Sequence, residues 1–472
     1  MTDLAKALFT VSSAAVMSKG LFVSPGNFDP DIFSVSIDSR KVEKGSLFVA
    51  LKGESTDGHM FIPDAVKAGA SCLMVSEYYY SNLKKSPGNI SSSVCLIVVE
   101  NTLAGLHSLS SSWVDKFDGL VRIAVTGSNG KSTTKEMIGS ILSEDGSTIT
   151  NEGNLNSETG LPLSVLKIKD YHKYGVFEMG VNHPGEMKAL VSVFKPQCAV
   201  ITNIGTAHIG LLGSQQAIAK EKADIFTSFN ENNTAFIYEK DVWVDYLTGL
   251  CPGKVVKFGV ESTQGIENVI DLGLEGWLIY YRGIKIRLKL IGQHNLNNAA
   301  AAISLADSLG IGFEQIKIGL EKIKAMKGRS EIIPGPVTLI EDSYNANAES
   351  MDRIFSFIEN LQWKGRIVLV LGSMKELGSS SVEIHRNVGI KAANLNPDMI
   401  YFYGEEMEDA FNAVTGLVNE KNYIYVSDYS ELRTNVVDFL ENGDLVLLKG
   451  SRAMGLNELA VEILESKETP CV

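Results

Sequence analysis

The stretch Ala124-Val125-Thr126-Gly127-Ser128-Asn129-Gly130-Lys131-Ser132-Thr133 combines glycines, one lysine and adjacent hydroxyls at a spacing that suits phosphate chemistry. Glycines let a backbone approach an anion closely, and successive N–H groups running into a helix N-terminus cradle phosphate oxygens. Lys131 adds a compact positive charge, and the Ser132 hydroxyl suits Mg2+, a hard cation that prefers oxygen. The pattern is that of a phosphate loop lacking the usual first glycine. Its context gives it weight: residues 121–125 read as a short buried strand, and a helical period runs through residues 133–142.

Other groups with chemical potential sit near the ends of further apolar runs. Glu178 closes the run 174–178, and His208 follows the run 198–202. In an open α/β sheet, strand ends are where sites gather. Lys220 and Lys222 follow on a helical segment.

The elements that must position these groups alternate along the chain. Residues 1–117 read as a small α/β unit, with strands at 33–37 and 46–50, a helix at 62–68 and a surface loop at 81–93, rich in Ser, Lys, Pro and Gly. Residues 118–328 carry the phosphate loop, the strands at 174–178 and 198–202 and a helix at 299–308, the alternation of a parallel sheet. Residues 329–472 open with a strand at 337–341 and continue with strands at 366–371 and 444–449. The expected class is therefore α/β in three domains: a small one, a central parallel-sheet phosphate-loop domain and a C-terminal Rossmann-like one.

Composition bounds the function. A chain of 472 residues is about three domain lengths. With 44% hydrophobic and 21% charged residues it is an ordinary globular protein. A net charge of -13 without a long Lys/Arg run argues against nucleic-acid binding. Cys72, Cys95, Cys198, Cys251 and Cys471 are too few and scattered for a disulfide framework or a CxxC metal site, which favours a reducing, cytoplasmic setting. Asp3 before the Ser-interrupted stretch 7–17, and the lack of any run of 18 apolar residues, predict neither secretion nor membrane insertion.

Thr126-Gly127-Ser128-Asn129-Gly130-Lys131-Ser132-Thr133-Thr134-Lys135-Glu136 resembles the ATP loop of the Mur ligase superfamily. Phe177-Glu178-Met179-Gly180 and Asn203-Ile204-Gly205-Thr206-Ala207-His208 resemble its two metal segments. Gly292-Gln293-His294-Asn295-Leu296-Asn297-Asn298 resembles its adenine signature, and Gly328-Arg329-Ser330-Glu331, Glu341-Asp342-Ser343-Tyr344-Asn345-Ala346-Asn347 and Lys449-Gly450-Ser451-Arg452 its hinge and third-domain motifs.

The resemblance implies that ATP is held by residues 126–133, Asn295, Arg329 and Asp342, with Asn295 at the adenine, Arg329 at a phosphate and Asp342 at the ribose. It implies Ser132, Glu178, His208 and Lys222 around Mg2+, two ions being expected, with Lys222 carbamylated. Lys131, Glu178, His208, Lys222 and Arg329 are then the catalytic set. Ser36-Ile37-Asp38-Ser39-Arg40 and Asp57-Gly58-His59 resemble the family's uridine-nucleotide domain, with Ser39 and Arg40 as substrate contacts; Asn154 and Asn156 join them by the same resemblance.

Thr134-Lys135-Glu136, residues 178–186 and Ser343-Tyr344-Asn345-Ala346-Asn347 resemble the member that adds D-alanyl-D-alanine to a UDP-MurNAc-tripeptide through an acyl phosphate. Asp-Asn-Pro-Arg, which many diamino-acid-adding members carry, is absent. Ala348, Ser373 and Ser157 depart from the pattern. A diamino-acid-adding or folate ligase of the same architecture and a nucleotide-binding regulator without turnover are the alternatives. The chain is expected to act as a monomer.

Overall fold

The computed structural model describes residues 7–26, 28–53, 55–85, 94–415 and 422–468. Each of three domains is organised around its own sheet. In the first, five strands run in the order Leu21–Val23, Cys95–Val99, Cys72–Ser76, Ser46–Val49, Ser34–Ser36, parallel except for Leu21–Val23. Alternate side chains of the inner strands serve two cores: Cys72, Met74, Cys95 and Ile97 meet Leu106 and Leu109 of the helix Thr102–Val114, while Leu73, Val75, Leu96 and Val98 meet Ile62 and Ala65 of the helix Ile62–Ala68. That double burial explains why these strands read as unbroken apolar runs.

One expectation fails here. Residues 81–85 belong to the helix Glu77–Lys85, not to a loop. Tyr79, Tyr80 and Leu83 share a helical face against the second of these cores, and this packing outweighs the Ser and Lys content. Residues 86–93, with Asp3 and Cys471, lie outside the described residues.

The central sheet is all parallel, in the order Lys254–Phe258, Thr234–Tyr238, Cys198–Ile201, Val121–Thr126, Tyr174–Glu178, Thr148–Thr150. Val121–Thr126 lies at its centre with later strands on both sides, so the chain order reverses there and opens a crevice at the carboxyl ends. Helices Lys131–Ser143, Gln293–Ser308 and Phe313–Lys322 cover one face, and Glu186–Phe194 and Gln215–Ala223 the other. A three-stranded antiparallel sheet, Ile266–Asp271, Trp277–Tyr281 and Ile284–Leu288, adds Trp277, Ile279 and Tyr281 to the first face.

The third sheet runs Glu331–Ile333, Thr338–Asp342, Leu445–Lys449, Ile367–Gly372, Met399–Tyr403, Tyr423–Val426, parallel except for its first strand. Helices Ala348–Asn360 and Ser381–Asn394 pack on one face and Tyr429–Phe439 and Leu456–Glu468 on the other. The chain enters this domain through Gly328 and Ser330, both with positive φ (74° and 49°). Ser330 N–H donates to Asp342 Oδ1 at 3.0 Å, and Tyr344 N–H donates to the Gly328 carbonyl at 2.9 Å.

Candidate active site

The phosphate loop leaves the central strand at Thr126, whose hydroxyl donates to the Met179 carbonyl at 2.8 Å, and turns into the helix Lys131–Ser143 at Gly130. Gly127 has φ 143°, and a Cβ there would stand 1.9 Å from Thr202 Oγ1, so only glycine fits. Loop and neighbouring strand end are tied together: Asn129 N–H donates to Asn203 Oδ1 at 3.1 Å, and Thr202 Oγ1 donates to the Asn129 carbonyl at 2.6 Å. Lys131 Nζ folds over the loop, donating to the carbonyls of Gly127 (2.9 Å) and Ser128 (3.3 Å). Burial holds its pKa below the ordinary lysine value.

On the adjacent strand Glu178 is buried, 3% exposed, with both oxygens engaged. Ser132 Oγ donates to Oε2 at 2.5 Å and Asn156 Nδ2 to Oε1 at 2.7 Å. A hydroxyl and a carboxylate side by side at the helix start form an oxygen pair suited to a hard divalent ion. On the opposite side His208, at φ 62°, engages Glu376 Oε2 through Nδ1 at 2.6 Å. A carboxylate on one ring nitrogen fixes the ring and leaves Nε2 as the donor atom for a metal, the usual outer-shell arrangement of a metal-binding histidine. Burial pulls the His208 pKa down, with the charge of Lys131 adding to it, which favours the neutral ring that metal ligation needs.

Lys222, 2% exposed, is the most perturbed of the expected residues. Burial, aided by the charge of Lys131, lowers its pKa to about 7. The adjacent Glu221 is committed elsewhere, accepting from Gly185 N–H and Met187 N–H at 2.8 Å each. Among the described residues no group of three or more His, Cys, Asp or Glu side chains is arranged to hold a metal. The expected set has one carboxylate and one imidazole, so its oxygen count depends on Ser132 and on what Lys222 becomes.

Lys131, Ser132, Glu178 and His208, though not Lys222, line a cavity of about 420 Å3 that the third domain closes and that also receives Asn154, Asn156, Asn295, Arg329 and Asp342. Arg329 stacks on the Tyr344 ring at 4.1 Å, and the Tyr344 hydroxyl bonds to Asn154 Oδ1. Asp342 accepts from Lys449 Nζ at 2.6 Å in addition to Ser330 N–H, so its carboxylate is partly committed to its own domain. Asn295 Nδ2 donates to the Ile291 carbonyl at 2.9 Å. Two buried atoms of the lining, Asn129 Nδ2 and His294 Nδ1, have no hydrogen-bond partner, as expected of groups kept for a polar ligand. Burial pushes the His294 pKa down to about 4, so its ring is neutral.

Ser39 and Arg40 do not join this cavity. They form the turn Ser39–Lys41 of the first domain, where the Arg40 guanidinium is 87% exposed and donates to both Asp38 oxygens at 2.9 Å. Nearby, His59 is buried between Asp57, 2.6 Å from its Nδ1, and the Ser76 N–H, 3.1 Å from Nε2, a bracing role within the fold.

Sequence reasoning missed Lys449 as a partner of Asp342, Glu376 behind His208, Asn203 beneath the phosphate loop and Glu349, which grips Thr206. Lys449 and Asn203 fall inside motifs already singled out. Glu376 and Glu349 reach their partners across 168 and 143 residues, and no local pattern announces them.

Fold and site define a three-domain phosphate-loop enzyme with a cavity lined by its central and third domains. The Mur ligase middle domain model matches residues 125–306, the Mur ligase glutamate ligase domain residues 328–452 and the Mur ligase family catalytic domain residues 31–103, and the chain belongs to the Mur ligase family. The UDP-N-acetylmuramoyl-tripeptide--D-alanyl-D-alanine ligase of Treponema pallidum is 37% identical over 425 residues, 90% of this chain and 92% of that protein. A crystal structure of MurF from Acinetobacter baumannii superposes with a TM-score of 0.86 at 29% identity, covering 97% of this chain and 99% of that one. The MurF ligase of Thermotoga maritima in complex with ADP gives 0.78 at 27%, covering 92% and 97%.

Proposed function

We propose that this chain joins D-alanyl-D-alanine to the terminal carboxylate of UDP-MurNAc-tripeptide, converting ATP to ADP and phosphate and giving UDP-MurNAc-pentapeptide for peptidoglycan synthesis. One observation carries the reading: the phosphate loop, Glu178 and His208 of one domain and Arg329, Asp342 and Lys449 of another line a single cavity. The relatives' name gives the reaction.

A carboxylate is a poor electrophile until it carries a leaving group. Transfer of the ATP γ-phosphate to the tripeptide carboxylate supplies one, and the dipeptide amine then displaces phosphate from the acyl phosphate, losing a proton as the amide forms. The protein's share is placement and charge neutralisation. The loop amides and Lys131 hold the β and γ phosphates, Arg329 reaches the transferred phosphoryl group, Asn295 meets the adenine and Asp342 the ribose. Ser132, Glu178 and His208 would hold Mg2+, with Lys222 behind them; bound there, the metal supplies positive charge to the phosphate oxygens. Lys222, neutral for much of the time near pH 7, adds CO2 at Nζ with loss of a proton, turning a buried cation that would oppose the metal into an oxygen anion that supports it.

Residues 1–117, with Ser39 and Arg40, bind the UDP end; residues 118–328, with Asn154 and Asn156 toward the peptide, bind ATP; residues 329–472 bring the acceptor. Every proposed group comes from one chain, which suits a monomer, and the described residues contain no helix long and apolar enough to cross a membrane. ATP and a UDP-sugar as substrates fit the cytoplasm.

The test is phosphate release with UDP-MurNAc-tripeptides, varying the third residue and the amine acceptor. Turnover is expected with D-alanyl-D-alanine and not with free diamino acids. Turnover with a diamino acid and a UDP-MurNAc-dipeptide instead would assign the chain to that neighbouring reaction.

A further inference from the structure

The helix Ala348–Asn360 starts where the third domain meets the loops of the central one, and its first residues reach across. Asn347, its N-cap, uses Oδ1 to accept from Ser350 N–H at 2.9 Å and Nδ2 to donate to Asn129 Oδ1 in the phosphate loop at 2.9 Å. Two residues on, Glu349 takes Thr206 in a two-pronged grip: Oε1 accepts from Thr206 N–H at 2.7 Å and Oε2 from Thr206 Oγ1 at 2.9 Å. Residues 203–208 therefore meet the phosphate loop at Asn203 and Gly205 and carboxylates of the third domain at Thr206 and, through Glu376, at His208. Gly205 N–H donates to Ser128 Oγ at 2.8 Å, and a Cβ at Gly205 would stand 3.1 Å from Glu349 Cδ and 3.3 Å from Ser128 Cβ. Three segments from two domains meet there closely enough that a side chain at Gly205 would have to push Glu349 or Ser128 aside.

We propose that Glu349 is a positioning residue for the reaction: through Thr206 it clamps residues 203–208, and with them His208, against the phosphate loop when the third domain docks. A carboxylate accepting two hydrogen bonds from one residue fixes direction as well as distance, and charge-assisted bonds of this kind are the stronger class. The clamp adds no group to the reacting atoms. It makes the geometry of the His208 loop depend on the domain that delivers the acceptor, and it rests on the ligase reading above.

The test uses the full chain and four variants: Glu349→Ala, Glu349→Gln, Thr206→Val and the double Glu349→Ala/Thr206→Val. Phosphate release with UDP-MurNAc-tripeptide and D-alanyl-D-alanine gives kcat and KM; amide hydrogen exchange of residues 203–208 is read with ADP and Mg2+ bound, without turnover. Losing charge-assisted hydrogen bonds is expected to lower kcat about tenfold or more in Glu349→Ala, with KM for ATP within about threefold of wild type. Exchange at 203–208 should speed up by a similar factor. Glu349→Gln, which keeps one acceptor oxygen for the Thr206 N–H, should recover part of both losses, and the double variant should be less impaired than the two single effects combined, because they share one contact. The proposal is overturned by an unchanged kcat in Glu349→Ala, by unchanged exchange at 203–208, or by additive effects in the double variant. Wild-type protein inactive with these substrates would sink the ligase reading alone, since the exchange measurement needs only ADP.

Discussion

Lys222 offers the sharpest test of the proposed chemistry. Its pKa of about 7 leaves roughly half of the amines neutral at pH 7, against one in a few thousand for an ordinary lysine, so Nζ is primed to take up CO2. Replacing it with methionine keeps the volume and removes both the charge and the carbamate. Activity should fall by about a hundredfold or more, the scale expected when one anionic group is lost from a water-poor phosphoryl-transfer site. Lys222→Arg should fare no better, because a guanidinium stays positive and forms no carbamate. In CO2-free buffer the wild type should lose activity and regain it with bicarbonate; the methionine variant should ignore bicarbonate. The same burial has a stability signature. A lysine whose folded pKa lies below its unfolded value supports the fold fully only above the unfolded value, near 10, and that support fades as pH falls toward about 7. In metal-free, CO2-free buffer, the methionine variant should gain on the wild type by up to about 1.4 kcal/mol per pH unit between about pH 10 and 7, and no further below. Denaturant melts across that range measure it. A pH-independent gap, or full activity in Lys222→Arg, would refute the reasoning.

Lys131→Ala should abolish ATP turnover, by about a thousandfold or more, while its circular dichroism matches wild type, because Nζ bonds only to the carbonyls of its own loop. Gly127→Ala should lose nucleotide binding in calorimetry and unfold at lower temperature, since its Cβ would overlap Thr202 Oγ1. Asn156→Ala frees one oxygen of Glu178 and should raise the Mg2+ concentration needed for half-maximal activity severalfold, with KM for ATP at saturating metal nearly unchanged. Arg40→Ala should raise KM for the UDP substrate about tenfold and leave ATP affinity and the melting temperature alone, as its side chain is exposed and touches only its own turn.

The central strand, the phosphate loop and its helix were legible because they obey local rules: a buried apolar run, glycines where a side chain would collide and a helical period behind them. The helix Ile62–Ala68 matched its expected bounds for the same reason. The sheet built from Ile266–Asp271, Trp277–Tyr281 and Ile284–Leu288 went unread, although Trp277–Tyr281 alternates buried and half-buried residues and Arg282-Gly283, both at positive φ, make the two-residue turn of a hairpin. Its signal was present but set within a domain otherwise parallel. The expected site residues come together only where motif and geometry coincide. Glu178 ends its strand and His208 falls in the loop that follows Cys198–Ile201, both inside motifs, whereas Glu349, Glu376 and Asn347 meet partners 143 to 218 positions away that only the packing of the domains brings near. Asp342 was picked out by its motif and lines the cavity, but its ion pair with Lys449, which closes between neighbouring parallel strands 107 residues apart, was not foreseen.

The entry into the third domain has a mechanical consequence. Gly328 and Ser330 are both fastened to that domain, by Tyr344 N–H and Asp342, and Arg329 lies flat on the Tyr344 ring between them. Arg329 is therefore held by the third domain through its side chain and both neighbours, while its own N–H donates back to the Met326 carbonyl at 3.0 Å, among the last residues of the central domain. In the proposed reaction Arg329 would thus bring its charge to the phosphate from the same domain that brings the acceptor.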